Sequence, residues 1–217
     1  MSKDKVVILV HGFIKNSKDM SSLANFLKDG YDEVIAVDLP TTFVSIDIAV
    51  NKLCQIIENI PLSKSLIFVA HSMGGIISCM TIDKLQLTNV EKCVFIASPF
   101  AGSRVANFGD RIPFYSRVLK PNKDLKVTDK YLEICNRVAD KVSVGLIAGN
   151  KYSKLNLLAR LCLRSEHDGL VEVSSVFSIN SLDRITLNKN HSEIHHDEET
   201  LTKVSFFLNT GSFYLKN

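Results

Sequence analysis

The stretch Val69-Ala70-His71-Ser72-Met73-Gly74-Gly75 decides the fold of this chain. An apolar run over residues 66–70 leads into it, and an apolar, helix-compatible run over residues 76–82 follows it. This pattern predicts a strand that turns sharply into a helix, with a serine at the apex. Such a turn brings the residues two before and two after the serine almost into contact, so both must be small. Alanine and glycine occupy these two positions here.

The apolar runs outside this stretch predict five more strands, each short and bounded by turn residues. These five lie at residues 5–10, 33–37, 92–97, 142–148 and, more weakly, 183–187. Residues 65–70 are the sixth strand. Helices are predicted over residues 17–28, 43–60, from the serine to about 87, and 198–208, with Ser17 or Asp19 capping the first. Strands that alternate with helices and are apolar on both faces indicate a parallel sheet covered on both sides. The expected fold class is α/β, with a minimal, mostly parallel sheet of about six strands.

The alternation is interrupted once, between residues 98 and 141. We therefore expect a single domain over residues 1–217 with an insertion at 104–141. Ligand sites in open α/β sheets lie at the carboxyl ends of the strands, so the insertion is interpreted as a possible lid or cap over the pocket. An ordinary crossover with extra helices explains it equally well.

Composition excludes several other classes of protein. The 217 residues carry a formal net charge of +3, too little to argue for a nucleic-acid partner. Five scattered cysteines lack metal-ligand spacing and predict buried free thiols in a reducing compartment. No stretch is long enough for a signal-peptide core or a membrane span. The expectation is a soluble, cytoplasmic protein without an integral membrane segment.

Ser72 is the predicted nucleophile, and a serine hydroxyl needs a base, an acid that orients the base, and donors for an oxyanion. On this kind of sheet the chain order is serine, acid, histidine. Of the six histidines, His191 lies directly after the sixth strand and is the favoured base. His195 and His196 are the alternatives, since they follow closely, and they can also be interpreted as surface residues before the last helix. His167 neighbours the candidate acid.

Asp168 is the predicted acid, because it follows the fifth strand and precedes a glycine that suits an exposed turn. Asp-Gly is also a common turn dipeptide without chemistry. Glu166 is the nearest substitute, and the long gap after the fifth strand leaves the assignment open.

The expected oxyanion donors are backbone N–H groups of Met73, directly after the serine, and Phe13, in the loop after the first strand. Gly12 allows that loop to approach closely, because it has no Cβ. His11 and His71 precede the serine at strand ends and are expected to shape these loops.

Four segments together resemble the α/β-hydrolase superfamily, with its lipase-like and small esterase members the nearest. They are Val10-His11-Gly12-Phe13, Ala70-His71-Ser72-Met73-Gly74-Gly75, Ala97-Ser98-Pro99-Phe100-Ala101-Gly102-Ser103 and His167-Asp168-Gly169-Leu170-Val171. The resemblance implies a Ser72–His191–Asp168 triad that acts through an acyl-enzyme, with no metal and no cofactor. It implies a carboxylesterase or lipase-like hydrolase of small-molecule or lipid esters. An acyltransferase or thioesterase with the same triad, and an inactive binding protein of this fold, are the alternatives.

Overall fold

Six parallel strands form one sheet in this computed structural model, which describes residues 4–103, 129–152, 163 and 165–215. The strands run in the spatial order β2-β1-β3-β4-β5-β6, and each neighbouring pair is parallel. Their bounds are β1 Lys5–Val10, β2 Glu33–Ala36, β3 Ser65–His71, β4 Val90–Ile96, β5 Ser143–Gly149 and β6 Asp183–Leu187. The predicted α/β class and parallel sheet are confirmed.

Helices cover both faces of the sheet. They are α1 Ser21–Leu27, preceded by a 3₁₀ turn at Ser17–Met20, and then α2 Ile46–Ile57, α3 Met73–Leu85, α4 Asp129–Ala139, α5 Val173–Val176 and α6 Glu198–Thr210. Successive strand residues point to opposite faces, so Ile8 joins a core with α2 and α3. Leu9 joins a second core with α1 and α6. Burial on both faces explains why the strands read as continuous apolar runs.

The first helix is capped one residue earlier than predicted. The Asn16 side chain accepts a hydrogen bond from the Lys18 N–H at 3.0 Å, so neither Ser17 nor Asp19 is the cap. Both of those residues lie inside the 3₁₀ turn. Asp19 instead directs its carboxylate to Lys15 and to His195.

Only the end of the predicted insertion lies within the described residues. Residues 104–128 are outside them, so the lid and the single-domain division stay predictions. The remainder contains α4, which packs against α3 and pairs Arg137 with Asp83 at 2.9 Å. This part of the insertion is an ordinary crossover helix.

Two predictions from composition can be compared with the described residues. Cys54, Cys79, Cys93 and Cys135 are buried free thiols, as expected, and Cys162 lies outside the described part. Within that part, no helix has the length and apolar character needed to cross a membrane.

Candidate active site

Ser72 occupies a strained turn between β3 and α3. Its backbone has φ 54° and ψ −127°, a region that residues with a side chain rarely adopt. The Ser72 N–H donates to the carbonyl of Ile96 at 2.9 Å, which ties the turn to the end of β4. The residue is 8% exposed. The turn thus holds the hydroxyl near the surface at the carboxyl edge of the sheet.

Two glycines, at the second and third positions after the serine, allow α3 to pack this closely. A Cβ on Gly74 would overlap the main-chain carbonyl of Val10 and lie 2.7 Å from that of His11. A Cβ on Gly75 would overlap the hydroxyl of Ser98, in the loop after β4. Glycine is therefore required by close approach at both positions.

The loop after β5 returns Asp168 to the end of that strand, despite the long gap in sequence. A Cβ on Gly149, the last residue of β5, would lie 2.9 Å from the Asp168 Cβ. The N–H of His191 donates to the main-chain carbonyl of Asp168 at 3.0 Å, which joins the loops after β5 and β6. These contacts bring the acid and base candidates side by side.

Ser72, His191 and Asp168 form a hydrogen-bonded series. His191 Nδ1 lies 2.7 Å from Asp168 Oδ2, and His191 Nε2 lies 3.0 Å from Ser72 Oγ. A carboxylate only accepts hydrogen bonds, so Nδ1 carries the proton and Nε2 presents a lone pair to the hydroxyl. All three residues are buried. Chemically, this arrangement can remove a proton from Ser72.

The second oxygen of the Asp168 carboxylate is fixed by backbone donors. Oδ1 accepts from the N–H of Leu170 at 2.9 Å and of Val171 at 2.7 Å. The Ser103 hydroxyl donates to the Leu170 carbonyl at 2.8 Å and anchors the same loop. The carboxylate plane is therefore set independently of His191.

The alternative acid and bases lie elsewhere. Glu166 is exposed and accepts a hydrogen bond from Asn150 Nδ2 at 2.6 Å. His196 is partly exposed and lies 3.6 Å from Asp19. His195 is fully buried, so its interpretation as a surface residue is wrong. Among the described residues, His191 is the histidine that is hydrogen-bonded to Ser72.

His167, beside the candidate acid, has a role within its own loop. Its Nδ1 accepts from the Gly169 N–H at 3.0 Å. Burial lowers the pKa of His167, although the nearby carboxylates of Asp168 and Glu172 oppose that effect. A neutral ring suits an acceptor of a backbone hydrogen bond.

The peptide between Gly12 and Phe13 is held from one side by two donors. His11 Nδ1 lies 3.0 Å from the Gly12 carbonyl oxygen, and Thr41 Oγ1 donates to the same oxygen at 3.1 Å. The Leu39 N–H donates to His11 Nε2, so Nδ1 carries the proton. Burial lowers the pKa of His11 and favours this neutral form. Sequence analysis missed Thr41, which no local pattern distinguishes from other loop threonines.

The Phe13 N–H points away from these two donors, because the C=O and N–H of a trans peptide lie on opposite sides. A Cβ on Gly12 would lie 3.0 Å from the Ser72 Cβ, so this loop touches the serine. Met73 is the first residue of α3, so its N–H has no partner within the helix. Both predicted oxyanion donors thus belong to backbone next to Ser72.

A second cluster of titratable side chains lies behind the serine, and sequence analysis did not identify it. Asp19, His71 and His195 place one potential ligand atom each within 4.8 Å of one another. The two imidazoles are stacked, with centroids 3.8 Å apart and planes 15° apart. An imidazole binds a metal in its ring plane at about 2 Å, and no point satisfies this for two rings so stacked. The cluster in this arrangement does not fit a metal ion.

Fold and site together define the class of the protein. A parallel sheet between two helical layers, with a serine on a strained strand-to-helix turn, is the architecture of the α/β-hydrolases. The sequence model of the family described as "Putative serine esterase (DUF676)" matches residues 1–191, and the chain belongs to this family. It is therefore a serine hydrolase in the broad sense. No curated protein matches the chain in sequence.

Solved structures share the fold at low sequence identity. The lipase BlEst2 of Bacillus licheniformis in its mature form is 19% identical with a TM-score of 0.71, over 96% of this chain and 92% of the lipase. The metagenomic carboxyl esterase MGS0156 is 14% identical with a TM-score of 0.66, over 88% of this chain and 65% of the esterase. A thioesterase domain from the curacin biosynthetic pathway is 14% identical with a TM-score of 0.58, over 95% of this chain and 91% of the thioesterase domain. At such identities the likeness concerns the fold.

Proposed function

We propose that this protein is a carboxylic ester hydrolase of the carboxylesterase or lipase-like type, with Ser72, His191 and Asp168 as its catalytic triad. The observation that carries the proposal is the series of two hydrogen bonds, 2.7 Å from Asp168 to His191 and 3.0 Å from His191 to Ser72. The independent anchoring of Asp168 by backbone donors supports it, because it fixes the tautomer of the base.

In the first half of the reaction, Ser72 Oγ attacks the ester carbonyl while His191 Nε2 takes the hydroxyl proton. The resulting imidazolium is stabilised by Asp168. The tetrahedral intermediate then collapses, the bond to the alkoxy oxygen breaks, and His191 returns its proton to the leaving alcohol. The product of this half is an acyl group on Ser72.

The negative charge of the intermediate is placed on an oxygen between the N–H groups of Phe13 and Met73. Met73 begins α3, so the positive end of the helix dipole also faces that oxygen. Removal of one oxyanion donor typically costs about 3–4 kcal/mol of transition-state stabilisation. Water then attacks the acyl-enzyme with His191 as the base, and the acid product leaves.

The proposal is tested by hydrolysis of short-chain p-nitrophenyl esters by the wild type, Ser72→Ala and His191→Ala. Both variants should lose at least about a thousandfold in kcat. His196→Ala is the matched control, because its ring is partly exposed and outside the series. It should keep its activity within about twofold. Undiminished hydrolysis by Ser72→Ala contradicts the proposal.

With the same esters, hydrolysis is separated from acyl transfer by measuring the two acyl products, the free acid and the acylated acceptor. If water is the natural acceptor, added alcohols or thiols change the product ratio only in proportion to their concentration. A saturable acceptor that diverts most of the acyl group assigns the triad to a transferase instead.

A further inference from the structure

His191 is held by its main chain as well as by its ring. Its N–H donates to the carbonyl of Asp168 at 3.0 Å, and its own carbonyl lies 3.1 Å from His71 Nε2. A carbonyl only accepts, so His71 carries its proton on Nε2 and donates it. The base residue is therefore clamped between the acid on one side and the residue before the nucleophile on the other.

The ring of His71 is in turn held from behind. It stacks on His195 at 3.8 Å between centroids, and His195 Nε2 lies 2.9 Å from Asp19 Oδ2. Asp19 also accepts from Lys15 Nζ at 2.9 Å. Both histidines are buried, and among the described residues neither has a hydrogen-bond partner for its Nδ1. The series Asp19, His195, His71 thus ends on the backbone of His191.

These three residues belong to three separate segments that border the proposed site. Asp19 lies in the 3₁₀ turn that follows the loop with Gly12 and Phe13. His71 ends β3 directly before Ser72, and His195 comes four residues after the base. Their contacts tie the loop that carries the base to the residue directly before Ser72 and to the turn at Ser17–Met20. A misplacement of catalytic groups by about 1 Å can cost a hundredfold in rate.

Electrostatics permit this role. The centroid of the His71 ring lies 4.8 Å from that of His191, so a charge there would oppose the imidazolium of the proposed reaction. Burial holds the pKa of His71 well below its ordinary value, and the neighbouring His195 and His191 lower it further. Burial also lowers the pKa of His195 to about 4. The pair is therefore neutral at neutral pH.

The carboxylate at the start of the series remains ionised. Burial alone raises the pKa of Asp19, but the hydrogen bond and charge of Lys15, together with His195, outweigh this and lower it. An ionised Asp19 accepts from His195 Nε2 and so fixes the tautomer of that ring.

We propose that Asp19, His195 and His71 form a positioning unit for the base, through the hydrogen bond from His71 Nε2 to the His191 carbonyl. The inference rests on the proposed function, because it needs His191 to be the base. The three residues touch no reacting atom, and they act through His191.

The test compares His71→Gln with His71→Leu. The amide nitrogen of glutamine can take the place of His71 Nε2 and donate to the same carbonyl, whereas leucine fills the space without a donor. Active sites are first counted with a fluorophosphonate, and kcat per counted site, KM and the thermal midpoint are then measured. We expect kcat to fall by about ten- to a hundredfold in the leucine variant, with KM within twofold. The glutamine variant should recover to within about fivefold of the wild type.

A second site keeps the test decisive if His71→Leu does not fold. His195→Leu removes the stacking ring and the link to Asp19, and should lower kcat by about tenfold at unchanged KM. The double variant should cost no more than the larger single effect, because both act through one unit. Glu193→Leu, two positions before His195 in the same loop and exposed, is the matched control and should stay within twofold.

Three results overturn the positioning role. The first is a wild-type kcat per counted site in His71→Leu or His195→Leu, with only the thermal midpoint lowered. The second is a rise in KM alone. The third is a glutamine variant as defective as leucine. A wild type that neither reacts with the fluorophosphonate nor hydrolyses esters overturns the proposed function first, and this inference with it.

Discussion

Replacing Asp168 by asparagine reverses the tautomer of His191, and the structure dictates how. Two backbone N–H groups, of Leu170 and Val171, donate to Oδ1 of the carboxylate. In Asp168→Asn, the amide oxygen must stay with them, because the flipped amide would lose both hydrogen bonds at about 0.5–1.5 kcal/mol each. The amide NH₂ therefore faces His191.

That NH₂ donates to His191 Nδ1, so the proton of the ring moves to Nε2. The Nε2 atom, 3.0 Å from Ser72 Oγ, then presents a hydrogen instead of a lone pair and cannot accept the serine proton. The same change in a serine protease lowers kcat about 10⁴-fold. We expect a similar loss here, equivalent to about 5 kcal/mol of transition-state stabilisation.

The assay is kcat/KM on a short-chain p-nitrophenyl ester, with urea unfolding to check that the variant is folded. Glu166→Gln is the matched control, because Glu166 is exposed, lies in the same loop and bonds to Asn150. It should stay within about twofold of the wild type. An Asp168→Asn variant that keeps more than a tenth of wild-type kcat/KM refutes the reasoning about the tautomer.

Three further predictions concern the supports of the site. Thr41→Val keeps the side-chain shape but removes one of two donors to the Gly12 carbonyl, so kcat should fall about tenfold. The lost hydrogen bond should lower the unfolding free energy by only about 1 kcal/mol, and such a fall with unchanged kcat would count against the oxyanion role. Gly74→Ala should destabilise the protein by about 3 kcal/mol in urea unfolding, because the added Cβ would meet the main chain of β1. Gly30→Ala is the control and should change stability by under about 0.5 kcal/mol, since its Cβ would meet only the Leu27 carbonyl at 3.6 Å. Acidification from pH 7 to pH 4 should lower the free energy of unfolding by about 3 kcal/mol through His195. In the unfolded chain this ring takes up a proton near its ordinary pKa of 6.5, whereas in the folded protein it stays neutral down to about pH 4. A His195→Phe variant with the same pH dependence of its unfolding free energy would disprove that assignment.

The sheet was predictable because parallel strands are buried on both faces. A residue such as Phe68 in β3 is wholly buried and stands in a continuous apolar run, which a strand exposed on one face does not show. The observed strand ends differ from the predicted ones by a residue or two. Helix caps were less predictable, since Asn16 and Ser17 suit a cap equally, and since Asp19 pairs with His195, a residue far away in sequence.

The site was only partly predictable. The positions of Asp168 and His191 after β5 and β6 followed from the order of strands. The choice of His191 over His195 depends on how the last loop folds against Asp168 and His71, which no local pattern encodes. The pairing of Asp19 with His195 joins residues 176 apart in sequence and has no sequence signal of its own.

The most direct test of the account is the site at which a fluorophosphonate attaches. We expect the intact wild-type chain to gain the mass of one adduct, and peptide mapping to place that adduct on Ser72. Ser72→Ala should gain none under the same conditions. An ester-hydrolysing wild type whose adduct lies on another residue, or a Ser72→Ala variant labelled as fully as the wild type, would contradict the assignment of the nucleophile.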